Sequence, residues 1–268
     1  MQKINLIDVG ALDGFDLPWK RHQDKIGFAL TFEPNEQPVF GEKIIKYNSA
    51  IWDYDGEGKF YIIGSIGQGS SLLEPNYEWV RENFDQIRKE GNIKFNDTWW
   101  ERTVIKKTEM LKVKRLDTVL TEVNEKLQSE GKSPIRFHFL KSDTQSGEYY
   151  VLKGAESFLK NDCIGLEIEA FRYPMYKGVV IDTEVKKYLE DLGFEQIGWT
   201  GYMYSFHAAC DYLFVKKNPK NTEEKVLIEL VKSVYQPKGK DGIIKKASLY
   251  EKIHHRVDKL SHFLKKFV

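Results

Sequence analysis

The sequence predicts an α/β protein in which a mixed β-sheet is covered by helices on both faces. Apolar runs of strand length alternate with helical segments, about seven such runs occur, and no segment is repeated. The 268 residues are 41 % hydrophobic and 30 % charged. This composition suits one α/β domain with an appendage, and it excludes disordered and collagen-like chains.

The first strands lead into turns rich in glycine and acidic residues. The apolar run at 4–9 stops at a glycine, and we expect a helix after the turn that follows. A second run at 26–32 ends in Glu33-Pro34-Asn35, and a third spans 43–51. These runs predict three strands at the start of the sheet.

An aromatic-rich middle segment elaborates this pattern. The residues at 55–58 are typical of a hairpin turn. Residues 77–89 have helical spacing, and 103–116 favours a pair of strands along the sheet edge.

The alternation returns in the second half of the chain. The predicted helices span 118–127, 148–159 and 183–192, and the predicted strands span 135–140, 163–171, 194–204 and 212–215. Asn221 with Glu224, and Ser248 with Glu251, are capping pairs of two further helices. We therefore divide the chain into a domain at 1–219 and a helical extension at 220–268.

Charge is unevenly distributed although the net charge is only +1. Residues 220–268 carry 12 Lys or Arg and 6 Asp or Glu, so this extension has a charge of +6 and the rest about −5. Cys163 and Cys210 lie in apolar runs, and we interpret both as buried thiols. No run reaches about 18 apolar residues, and the first residues lack the apolar core of a signal peptide. We expect a cytoplasmic protein with no membrane span.

The chemistry is concentrated in the turn after the first strand, Asp8-Val9-Gly10-Ala11-Leu12-Asp13-Gly14. Glycines let a backbone turn sharply and approach a ligand, and open α/β sheets bind ligands beyond their strand ends. The spacing is neither the Gly-x-Gly-x-x-Gly fingerprint nor a P-loop. Glu33, 19 residues after Gly14, is placed to accept hydrogen bonds from both hydroxyls of a ribose. An ordinary strand-to-helix turn and a surface carboxylate are the alternatives.

Several motifs in a fixed order resemble the FkbM family of S-adenosylmethionine-dependent methyltransferases. They are the glycine turn, Phe32-Glu33-Pro34-Asn35, Ser70-Ser71-Leu72, Leu116-Asp117-Thr118, the segment 139–155 and the strand Gly165-Leu166-Glu167-Ile168-Glu169. The resemblance covers about residues 4–195. It implies a class I methyltransferase fold, with a seven-stranded sheet in the order 3-2-1-4-5-7-6 and an antiparallel strand 7.

The resemblance also implies roles for single residues, with S-adenosylmethionine as the cofactor. Asp8, Gly10, Ala11 and Gly14 would hold its methionine and ribose end. Glu33 would bind the ribose hydroxyls with Asn35 beside it, Ser49 and Ala50 would line the adenine pocket, and Asp143 would face the methyl group and the acceptor. The chain departs from the family pattern where Gln145 replaces an acid and one residue is inserted before Gly147.

Methyl transfer to a hydroxyl requires alignment of the reacting groups and gains from a general base. Asp143, at a strand end, is the first candidate, and His207 lies in the loop between the last two strands. His138 is either a base or a core histidine. Glu167 and Glu169 face one side of their strand, where Glu167 would orient the acceptor or pair with a cation. We predict no metal site, with Mg²⁺ at Asp143 and Glu167 as the alternative.

The leading hypothesis is an O-methyltransferase that acts on a hydroxyl of a sugar, a glycan or a secondary metabolite. The sugar preference follows from the family association and from aromatic side chains that either stack on sugar rings or pack in the core: Trp52, Tyr54, Trp99 and Trp100.

Two other classes remain open. A nucleic-acid methyltransferase would use basic residues of the tail: Lys252, Arg256, Lys259 and Lys266. Its chemistry would rest on four residues that resemble the Lys-Asp-Lys-Glu set of ribose methyltransferases at a different spacing: Lys141, Asp143, Lys153 and Glu167. A non-catalytic methyltransferase-like module is the third class. The apolar face of the last helix would dock on the body or join a homo-oligomer.

Overall fold

The computed structural model describes residues 2–11, 14–34, 36–63, 69–90, 103–199, 208–238 and 243–244. The strands are β1 (Ile4–Val9), β2 (Ile26–Phe32), β3 (Val39–Phe40), β4 (Ile44–Tyr47), β5 (Ala50–Ile51), β6 (Gly56–Ile63), β7 (Ile105–Lys114), β8 (Phe139–Ser142), β9 (Gly165–Phe171), β10 (Phe194–Trp199), β11 (Ala209–Lys216), β12 (Pro237–Lys238) and β13 (Ile243–Ile244). The helices are α1 (Tyr77–Glu90), α2 (Leu116–Ser129), α3 (Glu148–Gly154), α4 (Glu156–Asn161), α5 (Asp182–Asp191) and α6 (Thr222–Tyr235).

The seven-strand order expected from the resemblance is confirmed. The large sheet runs β12-β13-β10-β11-β9-β8-β1-β2-β4-β3, so its middle reproduces the order 3-2-1-4-5-7-6. The adjacent strands β4, β2, β1, β8 and β9 are parallel to one another, and β11 is antiparallel to β9 and β10. Within the described residues, short edge strands extend this sheet to ten. The loops after the parallel strands therefore gather at one edge of the sheet.

The segment after the glycine turn differs from the expected helix. It forms two short 3-10 helices, Trp19–Arg21 and Gln23–Lys25. Pro18 disfavours the α conformation of the residue before it and has no amide hydrogen to donate, so a regular helix cannot continue through this point.

The middle segment also differs from the prediction. Strands β5 and β6 do not form a hairpin, because both pair with β7 in a separate three-stranded sheet. The expected strand pair at 103–116 is the single strand β7. The predicted helix at 148–159 is broken into α3 and α4 at Ala155. Gly154 lies so close to the Trp52 carbonyl that a Cβ would be 1.9 Å from its oxygen. Residues 200–204 and the second capping pair lie outside the described part of the chain.

The two faces of the large sheet are covered by different elements. The first face is the side of Ile7, Leu140 and Leu166, and it packs against apolar side chains of α2 to α5. The second face is the side of Leu6 and Phe139. It packs against Trp19 and against side chains of α6: Leu227, Ile228, Val231, Val234 and Tyr235. Both clusters exclude water from the central strands, which stabilises the sheet.

Helix α6 begins as the capping pair predicts. The Glu224 amide donates to Asn221 Oδ1 at 2.9 Å, and Glu224 Oε2 accepts from the Lys220 amide at 2.7 Å. The domain boundary between residues 219 and 220 stays a prediction. No described helix is both long and apolar enough to cross a membrane.

Candidate functional site

The glycine turn packs directly against the end of β8. The amides of Gly10 and Ala11 donate to the Phe32 carbonyl at 3.0 and 3.2 Å, and the Gly14 amide donates to the Ala11 carbonyl at 3.2 Å. Gly10 has a φ of +89°, and a Cβ on it would lie 2.0 Å from the Asp143 carbonyl oxygen. Only glycine fits at this position, so the turn presents bare backbone at the edge of the sheet.

The structure brings the predicted strand-end residues to one edge. The Asp143 amide donates to the Val9 carbonyl at 2.9 Å, which places Asp143 beside the turn after β1. Glu33 is buried directly after β2, and Ser49 is buried two residues after β4. Ala50 begins β5 and pairs with Val113 in the small sheet. Asn35 and His207 lie outside the described residues, and their roles stay predictions.

Some buried side chains at this edge, among them Asp8, Ser49 and Ser142, have polar atoms without a hydrogen-bond partner in the described structure. Both carboxylate oxygens of Asp8, which is 1 % exposed, and the Ser49 hydroxyl are in this state. Burial raises the pKa of Asp8 to about 6, although the nearby Lys141 ammonium lowers it. A buried acceptor without a donor is costly. These atoms therefore fit a ligand that brings amine or hydroxyl groups.

A row of charged residues crosses the second face. Asp8, Lys141 and Glu167 are register partners on β1, β8 and β9, so their side chains lie on the same side of the sheet. The Lys141 Nζ is 3.8 Å from Asp8 Oδ1 and 3.4 Å from Asp16 Oδ2. Burial opposes the charge of Lys141, but Asp8 and other carboxylates raise its pKa well above the usual value. Burial, with Asp211 adding to it, raises the pKa of Glu167 to about 8.

Three carboxylates form a compact cluster beside this row. Oxygens of Asp143, Glu148 and Glu169 lie within 4.8 Å of one another. Gln145 Nε2 donates to Asp143 Oδ1 at 3.1 Å and to Glu169 Oε2 at 2.9 Å. Glu148 Oε1 accepts from the amide and hydroxyl of Thr144 at 2.7 and 3.0 Å. Amide and hydroxyl donors thus hold the cluster together. Glu167 is not part of it, in contrast to the Asp143–Glu167 pairing considered from the sequence.

Burial is the main electrostatic effect on this cluster. It raises the pKa of Glu148 to about 8 and that of Glu169 well above its usual value, and the neighbouring Asp143 carboxylate adds to both shifts. Glu148 and Glu169 therefore keep a proton at a pH where an exposed carboxyl would be ionised.

The segment in which the sequence analysis expects a departure from the family motif forms a left-handed turn. Gln145 and Ser146 have φ angles of 54° and 82°, so two successive residues lie in the left-handed region. With this turn the Gln145 amide lies between Asp143 and Glu169 and donates to both.

Other candidates from the sequence lie away from this edge. His138 precedes β8 at the opposite end of the sheet, where its Nδ1 accepts from the Asn5 amide at 3.0 Å and burial lowers its pKa. Lys153 is in α3 on the first face, and its Nζ is 3.8 Å from Glu156. Because Lys141 and Glu167 lie on the second face, the Lys-Asp-Lys-Glu set is not assembled.

The aromatic side chains named from the sequence differ in exposure where the structure describes them. Trp52 is 8 % exposed and stacks on Tyr150, with ring centroids 4.4 Å apart. Tyr54 is exposed, and its hydroxyl donates to the Glu57 carbonyl at 3.2 Å. Trp99 and Trp100, together with residues 245–268 of the tail, lie outside the described residues.

Lys141 was named from the sequence only as part of the Lys-Asp-Lys-Glu set, and its burial beside Asp8 and Asp16 was not predicted. Lys141 interrupts an apolar strand, and this interruption is a signal that could have identified it. Tyr235, which donates to Glu167, ends an amphipathic helix with no local sign of a polar role.

The order of the sheet defines an open α/β protein of the class that binds its ligands beyond the carboxyl ends of the strands. Residues 8–195 match the family model described as the methyltransferase FkbM domain. This segment is more than half of the sequence, and the chain belongs to the FkbM methyltransferase family.

Comparisons with single proteins add one solved structure, methyltransferase FkbM from Methylobacillus flagellatus KT. The two sequences are 12 % identical, and the structures superpose with a TM-score of 0.44. The aligned region covers 79 % of this chain and 43 % of the other chain. This chain thus spans less than half the length of that protein. No curated protein matches the sequence.

Proposed function

We propose that this chain is an S-adenosylmethionine-dependent O-methyltransferase. The observation that carries the proposal is the buried Asp8 carboxylate, which has no hydrogen-bond donor among the described residues and lies two residues before the Gly10 turn. Membership of the FkbM family supports the same activity.

The residues at the edge suit the parts of the proposed cofactor. Asp8 offers two acceptor oxygens to the ammonium of the methionine end. Glu33, at the end of β2, would accept from the ribose hydroxyls, and the Ser49 hydroxyl would contact the adenine. Gly10 lets the turn after β1 pack against the backbone of Asp143, so that both would border the cofactor. When bound, S-adenosylmethionine supplies a methyl group on a positively charged sulfur that is a good leaving group.

Asp143 would take the proton of the acceptor hydroxyl. It is half-buried at the end of β8, and the Gln145 amide fixes its Oδ1. A positioned base of this kind accelerates a reaction by about 10²–10⁴-fold. Glu148 and Glu169 keep protons because burial raises their pKa values, so they add little negative charge beside Asp143.

The proposed acceptor is a hydroxyl of a sugar, a glycan or a secondary metabolite. This class comes from the family resemblance. The described aromatic surface supports it only at Tyr54, because Trp52 is buried against Tyr150. Methylation assays on hydroxylated glycans would follow once cofactor binding is established.

The test is calorimetric binding of S-adenosylmethionine and S-adenosylhomocysteine to the wild type and to Glu33→Ala. We expect micromolar binding by the wild type. Loss of a charged acceptor for two hydroxyls should weaken binding by about 10- to 100-fold in the variant.

A matched control is Glu36→Ala, three residues further along the same loop. The Glu36 carboxylate forms an ion pair with Lys46 at 2.7 Å, and neither group faces the proposed cofactor in our assignment. The control should bind both ligands as the wild type does. A folded wild-type protein that binds neither ligand would contradict the proposal.

A further inference from the structure

Tyr235 connects the last turn of α6 to the charged row of the second face. Its hydroxyl donates to Glu167 Oε2 at 2.5 Å and accepts from Trp19 Nε1 at 2.8 Å. Its ring is buried, with centroids 5.9 Å from Trp19 and 5.7 Å from Phe139. This residue lies beyond residue 195, where the family match ends.

The contact reaches the cofactor site through neighbouring strands. Glu167 is the register partner of Lys141, and Lys141 is the register partner of Asp8. This register places the Lys141 side chain between those of Asp8 and Glu167, with its Nζ 3.8 Å from Asp8 Oδ1 and 3.4 Å from Asp16 Oδ2. The Glu167 carboxylate acts on Lys141 through its charge.

We propose that Tyr235 is a positioning residue of the cofactor site: by holding Glu167 it keeps Lys141 shared along the row, so that the Asp8 carboxylate stays available to the ammonium of the cofactor. This inference rests on the proposed function. It assigns a role in cofactor binding to a helix outside the family-matched segment.

The physical reason is that the Asp8 and Glu167 carboxylates compete for the ammonium of Lys141 in a buried site. The charged groups that act on Glu167 from the described elements are Asp211 on β11, Lys141 on β8 and Asp8 on β1, together with the Tyr235 hydroxyl on α6. Charges interact strongly where water is excluded. The hydroxyl lowers the pKa of Glu167 and so favours its ionised form. Without that donor Glu167 takes a proton more readily, and the attraction of Lys141 is left to Asp8, Asp143 and Asp16.

The experiment measures by calorimetry, at pH 8, the affinities of the wild type and of Tyr235→Phe for two ligands. S-adenosylhomocysteine carries the ammonium group, and methylthioadenosine lacks the whole amino-acid end. The variant should bind S-adenosylhomocysteine about 5- to 10-fold more weakly, because a hydrogen bond to a charged group is lost. Its affinity for methylthioadenosine should stay within about twofold of the wild type. If the role of Tyr235 were purely structural, the substitution would weaken the binding of both ligands equally.

Two further variants distinguish a loss of apolar packing from a loss of the interaction between Tyr235 and Glu167. Val234→Ala removes a neighbouring buried side chain of α6 that contributes only apolar contacts, and it should leave the ratio of the two affinities unchanged. Glu167→Gln removes the carboxylate to which Tyr235 donates, and it should weaken the binding of S-adenosylhomocysteine by a similar factor. Combined with Tyr235→Phe it should add nothing, since both changes act on one interaction. If Tyr235→Phe does not fold, Glu167→Gln decides the inference by the same ligand ratio.

The outcomes distinguish this inference from the proposed function. A wild type that binds neither ligand overturns both. A wild type that binds both ligands, with Tyr235→Phe unchanged or equally weakened for each, leaves the proposed function intact and overturns the inference. Additive losses in the double variant also overturn it.

Discussion

The two faces of the large sheet differ most at the carboxyl ends of its central strands. On the first face, apolar side chains such as Val9 and Ile168 continue toward the strand ends. On the second face, each strand changes from apolar to charged along its length. Leu6 is followed by Asp8, and Phe139 by Lys141. Because residues two apart share a face, the change occurs in one row across the sheet.

The first face of the sheet therefore contributes mainly to stability, and the second face carries the groups suited to binding. The first face buries apolar area, which stabilises the fold. The second face places ionisable groups where water is excluded, which costs free energy unless a partner compensates. Substitutions on the two faces should therefore respond differently to pH.

The largest effect is expected from Lys141→Met on the second face. In the described part of the chain Lys141 is the one lysine or arginine that is buried. Without it, Asp8 and Glu167 lose their compensating charge, and we expect the free energy of unfolding to fall by about 3–5 kcal/mol at pH 8. The loss should shrink at pH 5, because Asp8, with its pKa raised to about 6 by burial, is then protonated.

Urea denaturation at the two pH values measures this loss. The control is Lys160→Met, which breaks an exposed ion pair with Glu156 and should cost less than about 1 kcal/mol at either pH. Equal losses for Lys141→Met at pH 5 and pH 8 would show that its charge does not compensate the row.

The matching change on the first face is Leu166→Ala, in which a fully buried side chain is truncated. The cavity should lower the free energy of unfolding by about 3 kcal/mol. No ionisable group is removed, so the loss should be the same at pH 5 and pH 8 in urea denaturation. Val226→Ala, at an exposed position of α6, should change stability by less than about 0.5 kcal/mol. A pH-dependent loss in Leu166→Ala would remove the distinction between the faces.

The central strands could be predicted from the sequence because apolar periodicity is a local signal, whereas their order in the sheet came from the family resemblance. Apolar periodicity and the motif order predicted the seven central strands. Parallel strands bring their ends together, so Asp8, Glu33, Ser49 and Asp143 could be assigned to one edge. The helix expected after Gly14 was wrong because Pro18 interrupts it.

The charged row was not accessible, because its contacts join distant parts of the chain. Tyr235 and Glu167 are separated by 68 positions, and Lys141 and Asp16 by 125. No local pattern reports which carboxylate faces a buried lysine. The position of the Gln145 side chain likewise depends on the left-handed conformation of Gln145 and Ser146, which no sequence pattern predicts.

The smallest effect at pH 5 is expected from Glu148→Gln in the carboxylate cluster. Burial raises the pKa of Glu148 from about 4.5 to about 8 in the folded state. The folded protein therefore binds this proton more tightly than the unfolded chain, and the resulting stability is present below pH 4.5 and is lost as the pH rises through about 8. Glutamine cannot ionise, and its oxygen still accepts from Thr144. We expect the variant to lie within about 1 kcal/mol of the wild type at pH 5 and to gain relative to it toward pH 8. Unfolding free energies measured in urea from pH 5 to pH 8 test this, and parallel curves would mean that Glu148 does not hold its proton in the folded protein.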